Sequence, residues 1–273
     1  TFHNEYYGVS CFMCDNITVI DNIFYSNVID IELSWDSYAI IANNSISDSV
    51  ERGISIWTTD YSRVVNNTLY NSTICISSYY ASKLATITVE NTTLNSYPVK
   101  FYYNIQNSII DAGPLGEVAL AYCDNITIQS INVSSIYVSK SNNIVINGTT
   151  SSIASYGIYI SRCKNVTTVN TTIIDCTHGI GVYSTSNITV INSQISCKNQ
   201  GISLISYDDV VTIKNNTISN SYQGIYFGGD TDNTVVANNT VINNKVGLYF
   251  GDYYYYVLVA NNTIADNNIG ILI

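Results

Sequence analysis

One interval recurs along this chain: Asn-Asn-Thr is followed about eight residues later by glycine and an apolar residue, every 22 or 23 residues. Asn216, Asn239 and Asn262 keep this interval. The other members of the Asn series are Asn22, Asn44, Asn67, Asn147, Asn170 and Asn192. The Gly series consists of Gly8, Gly53, Gly157, Gly179, Gly201, Gly224, Gly247 and Gly270, with Asp30 at one of its positions. Self-similarity at this period is the signature of a solenoid, in which each unit covers its neighbour.

Apolar residues alternate within each repeat, as in Ile158 and Ile160 or in Leu248 and Phe250. A period of two predicts strands, and a unit of this length holds three short strands and three turns. The sequence therefore predicts an all-β fold: a right-handed parallel β-helix of about 12 coils with 22–23 residues per coil. One domain would span 1–273, as a rod on the order of 55–60 Å long.

The repeat becomes irregular in the middle of the chain, where the interval stretches near Val99 and then shortens to 18 or 19 residues. We expect irregular coils near 80–140 and a protruding loop around Tyr97–Glu117. In the regular coils, we expect the recurring Asn to point inward and to hydrogen-bond to its equivalents on neighbouring coils. The recurring Gly is predicted to occupy a corner that needs a positive φ.

Charge and hydropathy restrict the partners of the chain. Ten basic residues stand against twenty acidic ones, so the formal net charge is −10, and no basic cluster occurs. This argues against nucleic acid and anionic membrane surfaces as partners. No apolar run reaches the roughly 18 residues that a membrane helix needs. The chain starts at Thr1 without a leader and stops in mid-coil, so we expect it to continue, or to be capped, beyond residue 273.

The segments "NNTISNSYQGIYF" and "NNTVINNKVGLYF" carry a family resemblance. They resemble the CASH/NosD-type parallel β-helix repeat, and the resemblance is clear over 140–273. It implies the fold, and it implies an extracellular or periplasmic setting. Proteins with this repeat include carbohydrate-binding and sugar-hydrolase proteins, surface-layer proteins and copper-pathway proteins, so the repeat leaves the function open.

An acidic turn is the candidate for a metal or an acid/base pair. Aligning the coils places Asn143, Asn165, Asn187, Asp209 and Asp232 in one column. Carboxylates on adjacent coils could bind a structural Ca²⁺, the only cofactor that the sequence suggests, or could cap turns instead. The Ca²⁺ candidates are Asp208, Asp209, Asp230 and Asp232.

No catalytic set can be assigned. Pectinase-like hydrolases bring Asn-Thr-Asp, Asp-Asp, Gly-His-Gly and Arg-x-Lys in that order, and here Asp208-Asp209 follows "THGIG" with no Arg-x-Lys after it. His3 and His178 are too far apart in the sequence to suggest a copper or zinc site.

Outward positions carry many tyrosines, in a series that also includes Ser55, Gly181 and Ser203. Stacked exposed rings would suit sugars or another subunit, although tyrosine is also a common strand residue. The predicted contacts with glycans or sister subunits are Tyr159, Tyr226, Tyr249, Tyr253, Tyr254, Tyr255 and Tyr256.

Seven cysteines leave at least one unpaired. Cys11-x-x-Cys14 has the spacing of a redox motif but no surrounding βαβ pattern, which favours core thiols. Cys176 and Cys197 lie on adjacent coils and are the predicted disulfide, although their offsets from the corner differ by one.

Fourteen Asn-x-Ser/Thr sequons occur. In the Asn-Asn-Thr motif the first Asn starts the sequon and faces outward, so the fold itself generates sequons. The sites predicted to carry glycans are Asn16, Asn71, Asn91, Asn125, Asn132, Asn147 and Asn187.

These observations favour an extracellular, glycosylated structural or adhesive rod, such as a surface filament, a surface-layer component or a virion tail fibre. It would lie at a cell or virion surface, contact glycans or sister subunits, and form homo-oligomers or polymers. The alternative is a polysaccharide-processing β-helix enzyme, a glycoside hydrolase or lyase, with two carboxylates roughly 5–9.5 Å apart in a groove.

Overall fold

The computed structural model describes residues 1–205, 208–251 and 254–273, and these residues form strands almost throughout. The first part of the chain contains β1 (Phe2–His3), β2 (Tyr7–Phe12), β3 (Thr18–Ile20), β4 (Ile23–Tyr25), β5 (Ile29–Ser34), β6 (Ile40–Ala42), β7 (Ser45–Ser47), β8 (Arg52–Trp57), β9 (Arg63–Val65), β10 (Thr68–Tyr70), β11 (Ile74–Ser77), α1 (Ala81–Leu84), β12 (Thr88–Glu90) and β13 (Thr93–Leu94). We call this part the N-terminal stack.

The second part of the chain is longer, and we call it the C-terminal stack. It contains β14 (Tyr97–Tyr103), β15 (Gln106–Ile110), β16 (Leu115–Ala121), β17 (Asp124–Gln129), β18 (Asn132–Ser139), β19 (Asn142–Asn147), β20 (Thr150–Ser152), β21 (Tyr156–Ser161), β22 (Lys164–Val169), β23 (Thr172–Ile174), β24 (His178–Tyr183), β25 (Ser186–Ile191), β26 (Gln194–Ser196), β27 (Gln200–Ile205), β28 (Asp208–Lys214), β29 (Thr217–Ser219), β30 (Gln223–Phe227), β31 (Thr231–Ala237), β32 (Thr240–Ile242), β33 (Val246–Phe250), β34 (Tyr254–Ala260), β35 (Thr263–Ala265) and β36 (Ile269–Leu272).

Each strand pairs in parallel with the equivalent strand of the next coil, which confirms the predicted right-handed parallel β-helix of about twelve coils. Strands β2, β5, β8 and β11 form one four-stranded sheet, and β3, β6, β9 and β12 form another. In the C-terminal stack, an eight-stranded sheet runs from β15 to β34. Six strands of that sheet lie in 140–273, so the predicted six in-phase coils are confirmed.

The coils do not form one uninterrupted rod, and this corrects the prediction. Between β13 and β14 the chain reverses through an antiparallel pair, with Leu94 opposite Tyr97. The two stacks then lie side by side with their coils matched in opposite order. The backbone N–H of Ile74 donates to Oε2 of Glu117 at 2.9 Å, whereas the earlier Ser49 accepts from the later Ser155 at 3.0 Å. The described chain contains no helix long and apolar enough to cross a membrane.

The short repeat interval in the middle of the chain reflects shorter coils. Asp124 pairs with Asn142 at an interval of 18, whereas Lys164 pairs with Ser186 at 22. Strand β18 pairs with both β20 and β21. It therefore merges two strands that later coils separate by a three-residue corner. The segment Tyr97–Glu117 contains β14, β15 and the start of β16, so the predicted protruding loop there is wrong. The clearest departures from the regular coil are α1 and the reversal.

Inward asparagines form the predicted ladder. Asn239 Nδ2 donates to Asn262 Oδ1 at 2.9 Å and to the Ile213 carbonyl at 2.9 Å, and Asn239 Oδ1 accepts from the Asn216 N–H at 2.9 Å. Asn22, Asn44 and Asn67 repeat this pattern in the N-terminal stack. The assignment of Asn147, Asn170 and Asn192 to the ladder is wrong. The inward positions on those coils belong to Thr149, Thr171 and Ser193, which are buried.

The Gly column exists, but the reason predicted for it is wrong. These glycines do not adopt a positive φ; among the described glycines only Gly148 does, at 61°. A Cβ on Gly179 would lie 2.2 Å from the Gly201 carbonyl oxygen, so the column provides room for close approach between coils. Corners with positive φ are occupied instead by asparagines, which tolerate this conformation. Examples are Asn215, Asn238 and Asn261.

Candidate functional site

A cavity of about 220 Å³ lies between the two stacks. Its walls come from β8 and β11 on one side and from β18, β21, β24 and the residue after β21 on the other. The lining residues are Arg52, Ser55, Ile56, Trp57, Cys75, Ser77, Tyr137, Tyr159, Ser161, Arg162 and Tyr183. Because both stacks contribute, the cavity depends on the chain reversal after β13.

Arg162 stands among aromatic rings at one end of the cavity. Its guanidinium carbon lies 4.5 Å from the Trp57 ring centre, 5.0 Å from that of Tyr79 and 5.4 Å from that of Tyr183. These distances are within the range of cation–π contacts. Its Nη1 is buried and has no hydrogen-bond partner among the described residues. Lys140 approaches the same Tyr79 ring at 4.7 Å, so positive charge accumulates here.

Arg52 enters the cavity from β8, beside Cys75 of β11 and the tyrosines of the C-terminal stack. Burial raises the pKa of Cys75 to about 12 and that of Tyr159 to about 12, although Arg52 acts in the opposite direction on both. Burial also raises the pKa of Tyr137 well above its usual value. These side chains are therefore uncharged near neutral pH, and none of them neutralises the guanidinium.

Two tyrosines of the cavity, Tyr137 and Tyr159, belong to a column that continues beyond it. We call it the outward column; it consists of Phe101, Ala119, Tyr137, Tyr159, Gly181, Ser203, Tyr226 and Tyr249, which are register partners on successive coils. The N-terminal stack covers its first half, where Tyr137 and Tyr159 stack at 5.4 Å. Tyr226 and Tyr249 form a half-buried stacked pair, also at 5.4 Å, in its second half.

The predicted contact tyrosines do not form one face. Tyr159 lines the cavity and is 9% exposed, whereas Tyr226 and Tyr249 lie on the same column farther along. Tyr256 is 85% exposed, but it is in register with the Asn233 corner and not with the outward column. Ser55, predicted to belong to the tyrosine series, lies in the N-terminal stack and lines the opposite wall of the cavity. Tyr253 and the side chains of Tyr254 and Tyr255 lie outside the described residues.

The acidic turn differs from its predicted alignment by one residue. Ser186, Asp209 and Asp232 are register partners on three successive coils. The column of Asn143, Asn165 and Asn187 is continued instead by Val210 and Asn233. Asn233 Nδ2 donates to Asp209 Oδ1 at 3.2 Å, as the turn-capping alternative expects. Asp230 is half-buried, and the side chain of Asp208 lies outside the described residues. No group of three His, Cys, Asp or Glu able to hold a metal occurs in the described part of the chain, so structural Ca²⁺ stays a prediction.

All seven cysteines are free thiols in the structure, including Cys176 and Cys197. The Lys198 N–H donates to the Cys176 carbonyl, which keeps the two thiols one residue out of register. A hydrogen bond from the neighbouring thiol lowers the pKa of Cys176, and the same contact raises that of Cys197. The two are therefore in contact but not joined as predicted. Burial raises the pKa of Cys11 to about 11, which does not favour redox activity.

The predicted glycosylation sites differ in their surroundings. Asn16, Asn91 and Asn132 are exposed, and Asn147 is half-buried. Asn71 donates to Asp48 Oδ1 at 2.9 Å. The amides of Asn125 and Asn187 belong to an exposed ladder, in which they donate to Asn107 and Asn165 at 2.7 Å.

Sequence reasoning missed Arg52, Arg162, Trp57 and Cys75 as site residues. None of them belongs to the Asn or Gly series of the repeat, and the two arginines are 110 positions apart. One signal was present: in a chain with three arginines, two of them flank apolar strands of the repeat.

Comparison with known proteins gives two family matches. The model described as periplasmic copper-binding protein (NosD) matches residues 116–273, and the model described as right handed beta helix region matches residues 1–111. No curated protein matches the sequence.

Several solved structures are similar to the chain. The mannuronan C-5 epimerase AlgE6 A-module of Azotobacter vinelandii is 12% identical, with 98% of this chain and 85% of that chain covered and a TM-score of 0.47. The surface adhesin PfbA of Streptococcus pneumoniae is 11% identical, with 94% and 90% covered and a TM-score of 0.46. The periplasmic alginate epimerase AlgG is 11% identical, with 94% and 77% covered and a TM-score of 0.44. At these values nothing about the function of this chain follows from them.

Proposed function

Because the chain belongs to the family of the periplasmic copper-binding protein NosD, we propose that it acts outside the cytoplasm, in the periplasm or at a cell or virion surface. There it binds glycans and has a structural or adhesive role. The observation that carries this proposal is the outward column, which leads from a polar cavity onto a stacked tyrosine pair. The glycosylated surface-filament, surface-layer and tail-fibre roles are narrower forms of the same proposal.

The outward column offers what a linear sugar polymer needs. Its residues repeat at about 4.8 Å, the spacing of neighbouring strands. The four intervals from Tyr159 to Tyr249 therefore span roughly 19 Å. Tyrosine rings present apolar faces for sugar rings together with hydroxyls for hydrogen bonds. Gly181 and Ser203 lie between the two tyrosine pairs on this column and are buried, and the rings of Tyr156 and Tyr159 pack close to Gly181.

Copper, which the family description names, has no suitable ligand set here. His3 stacks on Tyr25 at 4.8 Å, and His178 stacks on Tyr156 at 4.5 Å and is buried. Burial lowers the pKa of His178 to about 4. Because the described residues contain no cluster of three His, Cys, Asp or Glu, the donor set does not fit a copper centre, and copper is not part of the proposed function.

The enzymatic alternative lacks its defining residues at the cavity. Glycoside hydrolysis requires a pair of carboxylates on either side of the scissile bond. Among the described residues that line the cavity, none is Asp or Glu. Binding without hydrolysis is therefore the better account of this site.

The test is glycan binding by a double variant. Replacing Tyr226 and Tyr249 by Ser should reduce retention in polysaccharide affinity gels by tenfold or more, about the effect expected for losing two aromatic contacts. The matched control replaces Tyr38 and Tyr61 by Ser. These two rings stack at 5.0 Å and are 55% exposed each, but they lie on the N-terminal stack away from the outward column.

Circular dichroism should show intact β structure in both double variants. Unchanged glycan retention in the Tyr226 and Tyr249 variant would refute the proposal. Loss of self-association without loss of glycan retention would assign this face to sister subunits instead.

A further inference from the structure

The cavity between the stacks holds positive charge without a countercharge. The chain has a net charge of −10 and only three arginines, and two of these, Arg52 and Arg162, line this cavity. In the described part of the chain, ion pairs are formed by Arg63 with Glu90 and by Lys83 with Asp60. Neither cavity arginine takes part in one. Enclosed charges are normally paired, because removing them from water is costly.

The groups around Arg52 cannot supply the missing negative charge. Those that act on it most strongly are the Cys75 thiol and the hydroxyls of Tyr159, Tyr137 and Tyr156. Burial raises the pKa values of all four. All four are therefore neutral under ordinary conditions and can act only as hydrogen-bond partners.

The surroundings of Arg162 leave one of its guanidinium nitrogens without a hydrogen-bond partner. The guanidinium carbon lies 4.5–5.4 Å from the ring centres of Trp57, Tyr79 and Tyr183, within the range of cation–π contacts. Its buried Nη1 has no partner among the described residues. A planar guanidinium with an unpartnered nitrogen matches a carboxylate, the group with which arginine forms two parallel hydrogen bonds.

The rest of the cavity matches a sugar rather than a bare ion. A volume of about 220 Å³ equals roughly seven waters at about 30 Å³ each. That is far more than one carboxylate fills and is about the room of one sugar ring. Ser55, Ser77 and Ser161 add hydroxyls to the walls. The Ser77 hydroxyl is unpartnered among the described residues, and Ser77 is only 2% exposed.

Building on the glycan-binding function proposed above, we propose that this cavity binds a hexuronate unit, with Arg52 and Arg162 as the partners of its carboxylate. The ligand class is thus acidic polysaccharide, with one uronate in the cavity and its neighbours along the outward column.

The first test uses the unmodified protein and small ligands. Isothermal titration should show that glucuronate or galacturonate binds at least about tenfold more tightly than glucose or galactose, as expected for charge-assisted hydrogen bonds. The methyl esters of the two uronates should bind like the neutral sugars, because the ester removes the charge while keeping the shape. Equal affinity for acids, esters and neutral sugars would refute the proposal. Inorganic sulfate that binds as tightly as the uronates would refute the assignment of a sugar ligand.

The second test uses arginine variants. Arg52→Gln and Arg162→Gln should each reduce uronate affinity by about tenfold or more. The control, Arg63→Gln, changes the remaining arginine, whose side chain is 58% exposed, and should leave affinity unchanged. An equal loss in all three variants would show a general charge effect and refute the site. If an arginine variant fails to fold, the ester comparison on the unmodified protein still decides.

The two proposals can fail separately. Uronate binding to the cavity without retention in any polysaccharide gel would refute the glycan-binding function and keep the site. Polysaccharide retention that depends on Tyr226 and Tyr249 but does not distinguish acidic from neutral polymers would keep the function and refute the site.

Discussion

The N-terminal and C-terminal stacks are built from the same coil but use its outer surface differently. In the N-terminal stack the outward series Ser10, Glu32, Ser55 and Cys75 passes from exposed to buried as it approaches the chain reversal. In the C-terminal stack the outward column is buried from Ala119 to Ser203 and half-buried at Tyr226 and Tyr249. Equivalent positions of one repeat therefore stabilise the fold where the stacks meet and remain accessible where they do not. The position in the repeat sets the direction of a side chain, and the partner stack sets its role.

The sharpest test of this difference compares two tyrosines of the outward column. Tyr137 is 5% exposed and packs with Cys75, Ala119, Tyr156 and Tyr159. Tyr137→Ala should lower the free energy of unfolding by about 3 kcal/mol, the cost of emptying a buried aromatic site. Tyr249→Ala on the half-buried part should cost less than about 1 kcal/mol. Urea unfolding of both variants measures this. Equal costs would show that the stacks do not cover the column as described.

A second comparison concerns what the stacks share. Asn44 and Asn239 have the same bonds, each donating to the next ladder amide and to a backbone carbonyl. Replacing either by Leu should destabilise by about 1–3 kcal/mol, because the amide and its neighbours lose partners. We expect the two costs to agree within about 0.5 kcal/mol, if the ladders are equivalent and independent. Thermal melts that coincide with the parent protein would contradict a structural role for the ladder.

The repeat allowed the coil to be predicted, because Asn, Gly and alternating apolar residues act between neighbouring coils at a fixed interval. The ladder of Asn216, Asn239 and Asn262 was predictable for this reason. A shift of one residue, as at Asn170, was not detectable, because Thr171 has no amide to mark the inward position.

The cavity could not be predicted, since it depends on contacts without a period. Arg52 and Arg162 meet because the chain reverses at the antiparallel pair of β13 and β14. Nothing in the repeat indicates which coil of one stack lies opposite which coil of the other. Of the tyrosines of the cavity, Tyr159 was recognised as an outward residue, but the stack that covers it was not.

A third prediction separates the junction from the interior of the N-terminal stack by pH. Burial raises the pKa of Glu117, at the junction, to about 8, and that of Asp30, inside the stack, to about 6. A raised pKa means that the folded state prefers the protonated acid. This preference contributes fully to the stability of the fold below about pH 4, the pKa of the acid in the unfolded chain. The contribution is lost as the pH rises to the pKa of the acid in the folded protein. In Glu117→Gln, the loss of stability that extends to about pH 8 should disappear. In Asp30→Asn, only the loss of stability that ends near pH 6 should disappear.

Thermal melts between about pH 4 and pH 9 would test this, since the window brackets both transitions. Gln can still accept the bond from the Ile74 N–H, so Glu117→Gln should not break the junction. A pH profile that is the same in both variants and the parent would contradict the assignment.

The smallest expected effect is on glycan occupancy, which compares isolated sequons with stacked ones. Exposed Asn132 and half-buried Asn71 have no equivalent sequon on an adjoining coil and so have room for a branched glycan, whereas Asn91 is in register with the sequon at Asn66. Asn215, Asn238 and Asn261 are exposed at equivalent corners of successive coils. Neighbouring coils are only about 4.8 Å apart, less than the width of such a glycan. We therefore expect full modification at the isolated sites and incomplete modification in the column. The free energy of unfolding should change by no more than about 0.5 kcal/mol, as is usual at surface positions.

Glycopeptide mass spectrometry measures occupancy at each site. Complete occupancy of all three stacked sites would contradict the crowding argument, and a wholly unmodified protein would contradict the glycosylated surface role.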